Sequence, residues 1–250
     1  MSRVNRKTVD ILGIQIDAVN MVQALEKVCD FLAENRVHTI YTPNAEIIMQ
    51  ARRDADLKGI LNEADLLVAD GAGVVLASRI LKRPVPCKVS GIDLTREMFR
   101  LFSDLSENNG REYNAGNSFI KKPSFIRKPS FYLLGAKPGV AEKASENVIS
   151  AYPGVIIAGY RNGYFNESEN SLVVDEINNS GADILLVALG APKQEKRINA
   201  NKDRLNVKVC MGVGGTFDVL AGVVSPAPEI LRRNGFEWLY RLYKEPWRAK

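Results

Sequence analysis

The chain has 250 residues, 46% of them hydrophobic and 25% charged, with a net charge of +5. That length supports one large or two small domains with a substantial core, and the composition excludes a disordered chain. Cys29, Cys87 and Cys210 are odd in number, far apart and without a CxxC pair, so they read as reduced, buried thiols in a cytoplasmic protein.

The single histidine, His38, cannot build a His-rich metal site, and its apolar neighbours make it a strand-end side chain. No signal peptide is visible, and no run of about 18 apolar residues exists to span a bilayer. The positive charge gathers at the end, where Arg232, Arg233, Arg241, Lys244, Arg248 and Lys250 stand against Glu229, Glu237 and Glu245. A basic terminus of that kind fits anionic lipid, nucleic acid or a diphosphate.

In chain order, Val9–Asp17 alternates around Gly13 and reads as two short strands joined by a bend. Ala18–Asn35 sets Val22, Leu25, Val28, Cys29 and Leu32 on one stripe, an amphipathic helix. His38–Tyr41 is a strand that stops at Thr42-Pro43-Asn44, and Ala45–Leu61 is the helix that follows. Asn44 is either a site residue or that helix's N-cap. Asp54-Ala55-Asp56 is a DxD triplet, but inside one helix its two carboxylates would point about 200° apart. It therefore reads as a solvated face. Asp65–Ala69 is a buried strand broken by Asp70-Gly71-Ala72-Gly73, and Val74–Ile80 restarts as a helix. Asp70 is thus the first residue past a strand, where a carboxylate can accept a proton, bind a metal or fix a hydroxyl. The alternative is a cap for the next helix.

Pro84–Asp93 is a loop carrying Lys88, followed by a helix over Leu94–Leu105. Asn108–Ser130 is out of character, rich in Asn, Lys and Pro, and repeats itself as IKKPSF and IRKPSF. It reads as an inserted, mobile surface loop. Phe131–Gly135 is a strand, Val140–Tyr152 a helix, Val155–Tyr160 a strand, and a helix starts at Glu167. Asp183–Leu189 is a strongly apolar strand, Gly190–Glu195 opens the next helix, and Val207–Met211 is a last strand. Regular β-α alternation predicts an α/β fold with a mostly parallel sheet covered on both faces.

Three glycine-rich βα turns stand out: Gly135–Gly139, Gly190–Gln194 and Gly212–Gly215. Amides exposed at helix starts favour phosphate. None fits G-x-G-x-x-G after the first strand, and GxxxxGK[ST] is absent, so a nucleotide has support while NAD and P-loop chemistry have none.

Read together and in order, TPNAE (42–46), ADG (69–71), SGIDL (90–94), FYLLGAKPGVAE (131–142), YPG (152–154), GYF (163–165), GAPKQE (190–195), VGGTFDVLAG (213–222) and EWLYRLYKEPWR (237–248) form one ordered set. In that set the chain resembles the WecG/TagA/CpsF glycosyltransferases, which build bacterial cell-surface polymers, over nearly everything except 108–130. The wording GIQIDAVNM and YRLYKEP is most similar to the TagA branch. The resemblance implies a Rossmann-like sheet and a C-terminal basic helical appendage, with a catalytic part over 1–228 and a membrane-directed appendage over 229–250. With no glycine or polar stretch before Lys250, that appendage reads as cut short. The implied reaction is inverting transfer of N-acetylmannosamine from UDP-ManNAc to undecaprenyl-diphosphate-linked GlcNAc, in wall teichoic acid synthesis.

By resemblance, Asp70 matches the proposed general base, with Thr42 and Asn44 as polar residues beside it. Tyr164, Gln194 and Asp218 match the nucleotide pocket, and Gly212, Gly214 and Gly215 would bring amides to the diphosphate. Lys88 stands where the family usually has Arg, keeping the charge but losing the bidentate fork. Ser225-Pro226-Ala227-Pro228 lacks another family Arg, leaving Arg241 and Arg248 of the appendage to meet the diphosphate. The tail sets Trp238, Leu239, Leu242, Tyr243 and Trp247 among basic residues, which suits an interfacial segment; an ordinary packed helix is the alternative.

No metal or other cofactor is expected. The expected partners are a UDP-sugar donor, a polyprenyl-diphosphate-sugar acceptor, the inner face of the plasma membrane and further copies of the chain, with no nucleic acid. A UDP-ManNAcA or UDP-hexose transferase and a non-catalytic nucleotide-binding module are the alternatives.

Overall fold

The computed structural model describes residues 6–104, 113–114, 119–120 and 128–224. The chain opens with an antiparallel hairpin, β1 (Thr8–Ile11) and β2 (Ile14–Asp17), turned by Leu12 and Gly13, both at positive φ. α1 (Met21–Ala33) follows, capped reciprocally by Asn20 and Gln23. β3 (His38–Tyr41) is buried along its length.

The helix expected over Ala45–Leu61 is two helices, α2 (Ala45–Ala51) and α3 (Ala55–Glu63). The break falls at the DxD triplet because Asp54 is not interior to a helix. Its carboxylate accepts from Leu57 N and caps α3. Asp54 and Asp56 then both reach Lys196, at 2.8 and 3.3 Å, instead of pointing apart.

β4 is only Leu66–Leu67, shorter than the expected Asp65–Ala69, and α4 (Ala72–Ile80) starts two residues early. α5 (Gly91–Asp104) begins in the SGID turn. Of the expected insertion 108–130, two short antiparallel strands, β5 (Tyr113–Asn114) and β6 (Phe119–Ile120), and 128–130 are described. β7 (Ser130–Gly135), α6 (Val140–Ala151) and β8 (Ile156–Arg161) come next. A 3-10 turn at Glu167–Glu169 leads into α7 (Asn170–Ser180). β9 (Ile184–Ala188), α8 (Lys193–Asn201), β10 (Val209–Gly212) and the short α9 (Thr216–Leu220) complete the described chain.

Six strands form one sheet in the order β4-β3-β10-β9-β7-β8, every pair parallel. Burial on both sides explains why β3, β7, β9 and β10 read as unbroken apolar runs. One core packs α1, α5, α6 and Phe217 of α9 against the sheet. The other packs the hairpin, α2, α3, α7 and α8 against the opposite face. Right-handed crossovers require this split, since chains moving in opposite directions along the sheet return on opposite faces.

Connections reverse between β7 and β9. α6 carries the chain from β7 outward to β8, and α8 carries it from β9 the other way to β10. In an open parallel sheet that crevice, outside the carboxyl ends of the strands, is where ligands bind.

His38 is buried, stacked on Phe31 with ring centroids 4.2 Å apart, and its nitrogens lie 3.2 and 3.5 Å from Glu34 and Asp65 oxygens. It serves the core at the amino end of the sheet. Cys29 and Cys210 are buried as expected, but Cys87 is exposed on the loop after α4. Among the described residues, no helix is long and apolar enough to cross a membrane.

Candidate active site

Two separate features occupy the carboxyl edge. The first gathers around Asp70. β3 and β4 are parallel neighbours, so their following turns lie side by side: Val68 N donates to Tyr41 O at 3.1 Å and Asp70 N to Pro43 O at 3.3 Å. Gly71, at φ 87°, is the residue before α4 and makes no side-chain cap. The amide of Gly91, first residue of α5, lies 3.5 Å from Asp70 Oδ2, with the positive end of a 14-residue helix against a carboxylate. Ser90 and Asp93 bond to each other and fix that helix start. A Cβ added at Gly91 would sit 3.0 Å from Thr42 Oγ1, so Thr42 packs directly on the same turn. Asn44 caps α2 through Ile47 N at 3.0 Å and lies beside Gly71. Thr42, Asn44 and Asp70 are therefore brought together. Lys88 stands on the loop that re-enters this turn, half-buried.

The second feature is a cleft of about 640 Å³ at the reversal between β7 and β9, lined by Ala136, Lys137, Tyr164, Leu189, Lys193 and Asp218, among others. Its floor is a close backbone crossing: Ala136 N donates to Ala188 O at 2.8 Å and Gly163 N to Ala136 O at 2.9 Å. A Cβ on Gly135 would meet Ala188 O at 2.3 Å, so glycine is required there. Tyr164, 68% exposed, and Asp218 face this cleft together, with Lys137 and Lys193 as cations. Phe165 is fixed beneath the guanidinium of Arg197, 4.2 Å from its ring centroid.

Gln194 stands apart from both. It is buried; its Oε1 accepts from Gly214 N at 3.0 Å and its Nε2 donates to Glu195 Oε1 at 2.9 Å. Gly212 lets it approach: a Cβ there would lie 2.8 Å from Gln194 Nε2. Gln194 thus holds the Gly212–Gly215 turn from below, and the Gly214 amide is engaged by it. Glu195 is buried with Oε2 unpartnered, and burial pushes its carboxyl above the ordinary range.

Sequence reasoning missed Lys137, Lys193, Arg197 and Glu195. The signal for the first two was a lysine inside each of the turns Gly135–Gly139 and Gly190–Gln194. Arg241 and Arg248 lie outside the described residues. Asp70 follows β4 and Tyr164 follows β8, the two edges of the sheet, about 24 Å apart at ordinary strand spacing. The Gly212–Gly215 turn, after β10, lies between them.

An acid, flanking hydroxyl and amide side chains, a glycine turn and an aromatic-lined cationic cleft lie along one sheet edge of this α/β fold, where α/β enzymes bind their ligands. The sequence pattern of the Glycosyl transferase WecG/TagA/CpsF family matches residues 9–111 and 119–250. The chain belongs to that family and is a glycosyltransferase. It is 32% identical over 241 residues to a Staphylococcus aureus (strain MRSA252) protein named N-acetylglucosaminyldiphosphoundecaprenol N-acetyl-beta-D-mannosaminyltransferase, covering 96% of this chain and 85% of that one. The protein of the same name from Staphylococcus aureus (strain NCTC 8325 / PS 47) is similar to the same extent.

Proposed function

We propose that the chain transfers N-acetylmannosamine from UDP-ManNAc to the 4-hydroxyl of undecaprenyl-diphosphate-linked GlcNAc, with inversion, in wall teichoic acid synthesis at the inner face of the plasma membrane. The donor lies along the carboxyl edge. Its uridine sits on the Asp218 side of the cleft with Tyr164 at the far rim, its diphosphate beside the Gly212–Gly215 turn, and its sugar toward Asp70. Lys88, with Arg241 and Arg248 of the tail, meets the acceptor diphosphate.

Asp70 accepts the proton of the acceptor hydroxyl as that oxygen attacks the anomeric carbon. The C–O bond to UDP breaks on the opposite face, and the electron pair leaves with the diphosphate. Thr42 and Asn44 hold sugar hydroxyls. The reading is metal-free: Lys137 and Lys193 meet the leaving charge. The DxD carboxylates support this, being engaged by Lys196 on the flank of α3.

The observation that carries the reading is the grouping of Asp70 and Thr42 at the start of α5, with Asn44 beside Gly71. The test is turnover of UDP-ManNAc with a short-chain GlcNAc-diphosphate lipid, wild type against Asp70→Asn. A loss on the order of a hundredfold or more in kcat with UDP binding retained is expected; equal turnover removes Asp70 as base. Competition by UDP-ManNAcA and UDP-glucose decides the donor.

A further inference from the structure

Between Ala69 and Gly91 the chain leaves the sheet and returns to its starting point. Val89 N donates to Ala69 O at 2.9 Å, and Gly91 N meets Asp70, so the excursion begins and ends on the candidate base. Its inner side is packed: Val74 and Ser78 of α4 are buried. Its outer side is not. Leu76 is 58% exposed, Ile80 71% and Leu81 49%. Leu76 and Ile80 lie one turn apart, on the helix face opposite Val74 and Ser78.

Charge within this segment is of one sign. Arg79, Lys82 and Arg83 are exposed beside them, and no Asp or Glu occurs between Asp70 and Asp93. The turn that presents them is fixed. Ser78 Oγ donates to Val75 O at 2.7 Å and accepts from Val85 N at 3.1 Å, while Arg83 N donates to Ser78 O at 3.0 Å.

Grouped aliphatic side chains flanked by Arg79, Lys82 and Arg83 match a surface that is apolar below and anionic above. Leucine and isoleucine enter the headgroup–acyl boundary, and lysine and arginine meet lipid phosphates. An acceptor carried on a polyprenyl diphosphate presents its sugar at that level. We propose that the exposed face of α4 and the turn 81–86 form a docking surface for an anionic bilayer. Docking there holds Asp70 at the height of the lipid-linked acceptor, independently of the basic C-terminal segment. This inference rests on the lipid-linked-acceptor reading above.

Cys87, exposed on the same loop while Cys29 and Cys210 are buried, accepts a polarity-sensitive fluorophore selectively. The full chain, labelled there, is mixed with vesicles of phosphatidylcholine alone or of phosphatidylcholine and phosphatidylglycerol in equal parts. A blue shift with the anionic vesicles only is expected. Ile80→Ser/Leu81→Ser and Lys82→Glu/Arg83→Glu are each expected to weaken partitioning about tenfold or more. Turnover on a short-chain, water-soluble acceptor should stay within about twofold, because neither pair touches the cleft. Unchanged partitioning of both variants overturns the proposal. So does a vesicle-free change in oligomeric state by sedimentation, which would assign the surface to a second copy of the chain. Docking of a wild type that turns over no acceptor supports the surface while sinking the functional reading.

Discussion

Gln194 Oε1 accepts the Gly214 amide at 3.0 Å, so a single side chain of α8 holds the turn that follows β10. Gln194→Ala leaves that amide unpaired above a new void. We expect a loss of about 1–3 kcal/mol of stability, read from urea unfolding, and weaker UDP binding by calorimetry. Wild-type behaviour in both would mean the turn stands without it.

Gly135 sits where β7 and β9 part, with φ 131° and no room for a Cβ against Ala188 O. Gly135→Ala must move the backbone that floors the cleft. The expected cost is on the order of 3 kcal/mol, together with loss of UDP binding in whatever protein still folds. Gly139→Ala, where a Cβ meets nothing within 4 Å, is the control and should cost less.

Glu195 supplies a pH signature. Burial raises its carboxyl in the folded protein, so the native state binds the proton more tightly than the unfolded chain does. That stability is complete below the ordinary glutamate value of about 4.3 and falls as pH climbs through the raised native value. Glu195→Gln should flatten the fall. Urea midpoints at about pH 5 and about pH 8 check it, the variant gaining on wild type at the higher pH. An unchanged gap between the two proteins counts against this assignment.

The Lys196 cluster offers the opposite expectation. Asp54→Asn/Asp56→Asn removes both carboxylates yet keeps an Asn cap on α3. Because Lys196 is 40% exposed, stability should move by less than about 1 kcal/mol, and turnover in chelator should match wild type. A turnover loss restored by a divalent cation would return the DxD pair to the site.

Much of the fold was legible because buried parallel strands are apolar throughout and their turns are glycine-rich. β7, β9 and β10 were found to within two residues on that basis. The split of α2 from α3 was hidden because Asp54 resembles an exposed helical acid until Leu57 N is seen bonding to it. Strand order was not legible, since nothing local says that β9 and β10 insert between β7 and β3. The same gap concealed the distance between Asp70 and Tyr164. Neighbours in one turn, such as Thr42 and Asn44, could be paired by sequence alone, whereas Lys137 and Lys193 meet only through the sheet.

The hairpin at the start of the chain bears on how the molecule stays dispersed. β4 is a rim strand, and an unoccupied Leu67 amide would be a handle for any passing strand. Asp17, on β2, occupies that amide at 2.8 Å while Arg6 neutralises the carboxylate and also reaches Ala64 O. The rim beside the candidate base is thereby closed by a side chain, and the Leu67 amide offers no purchase for strand addition.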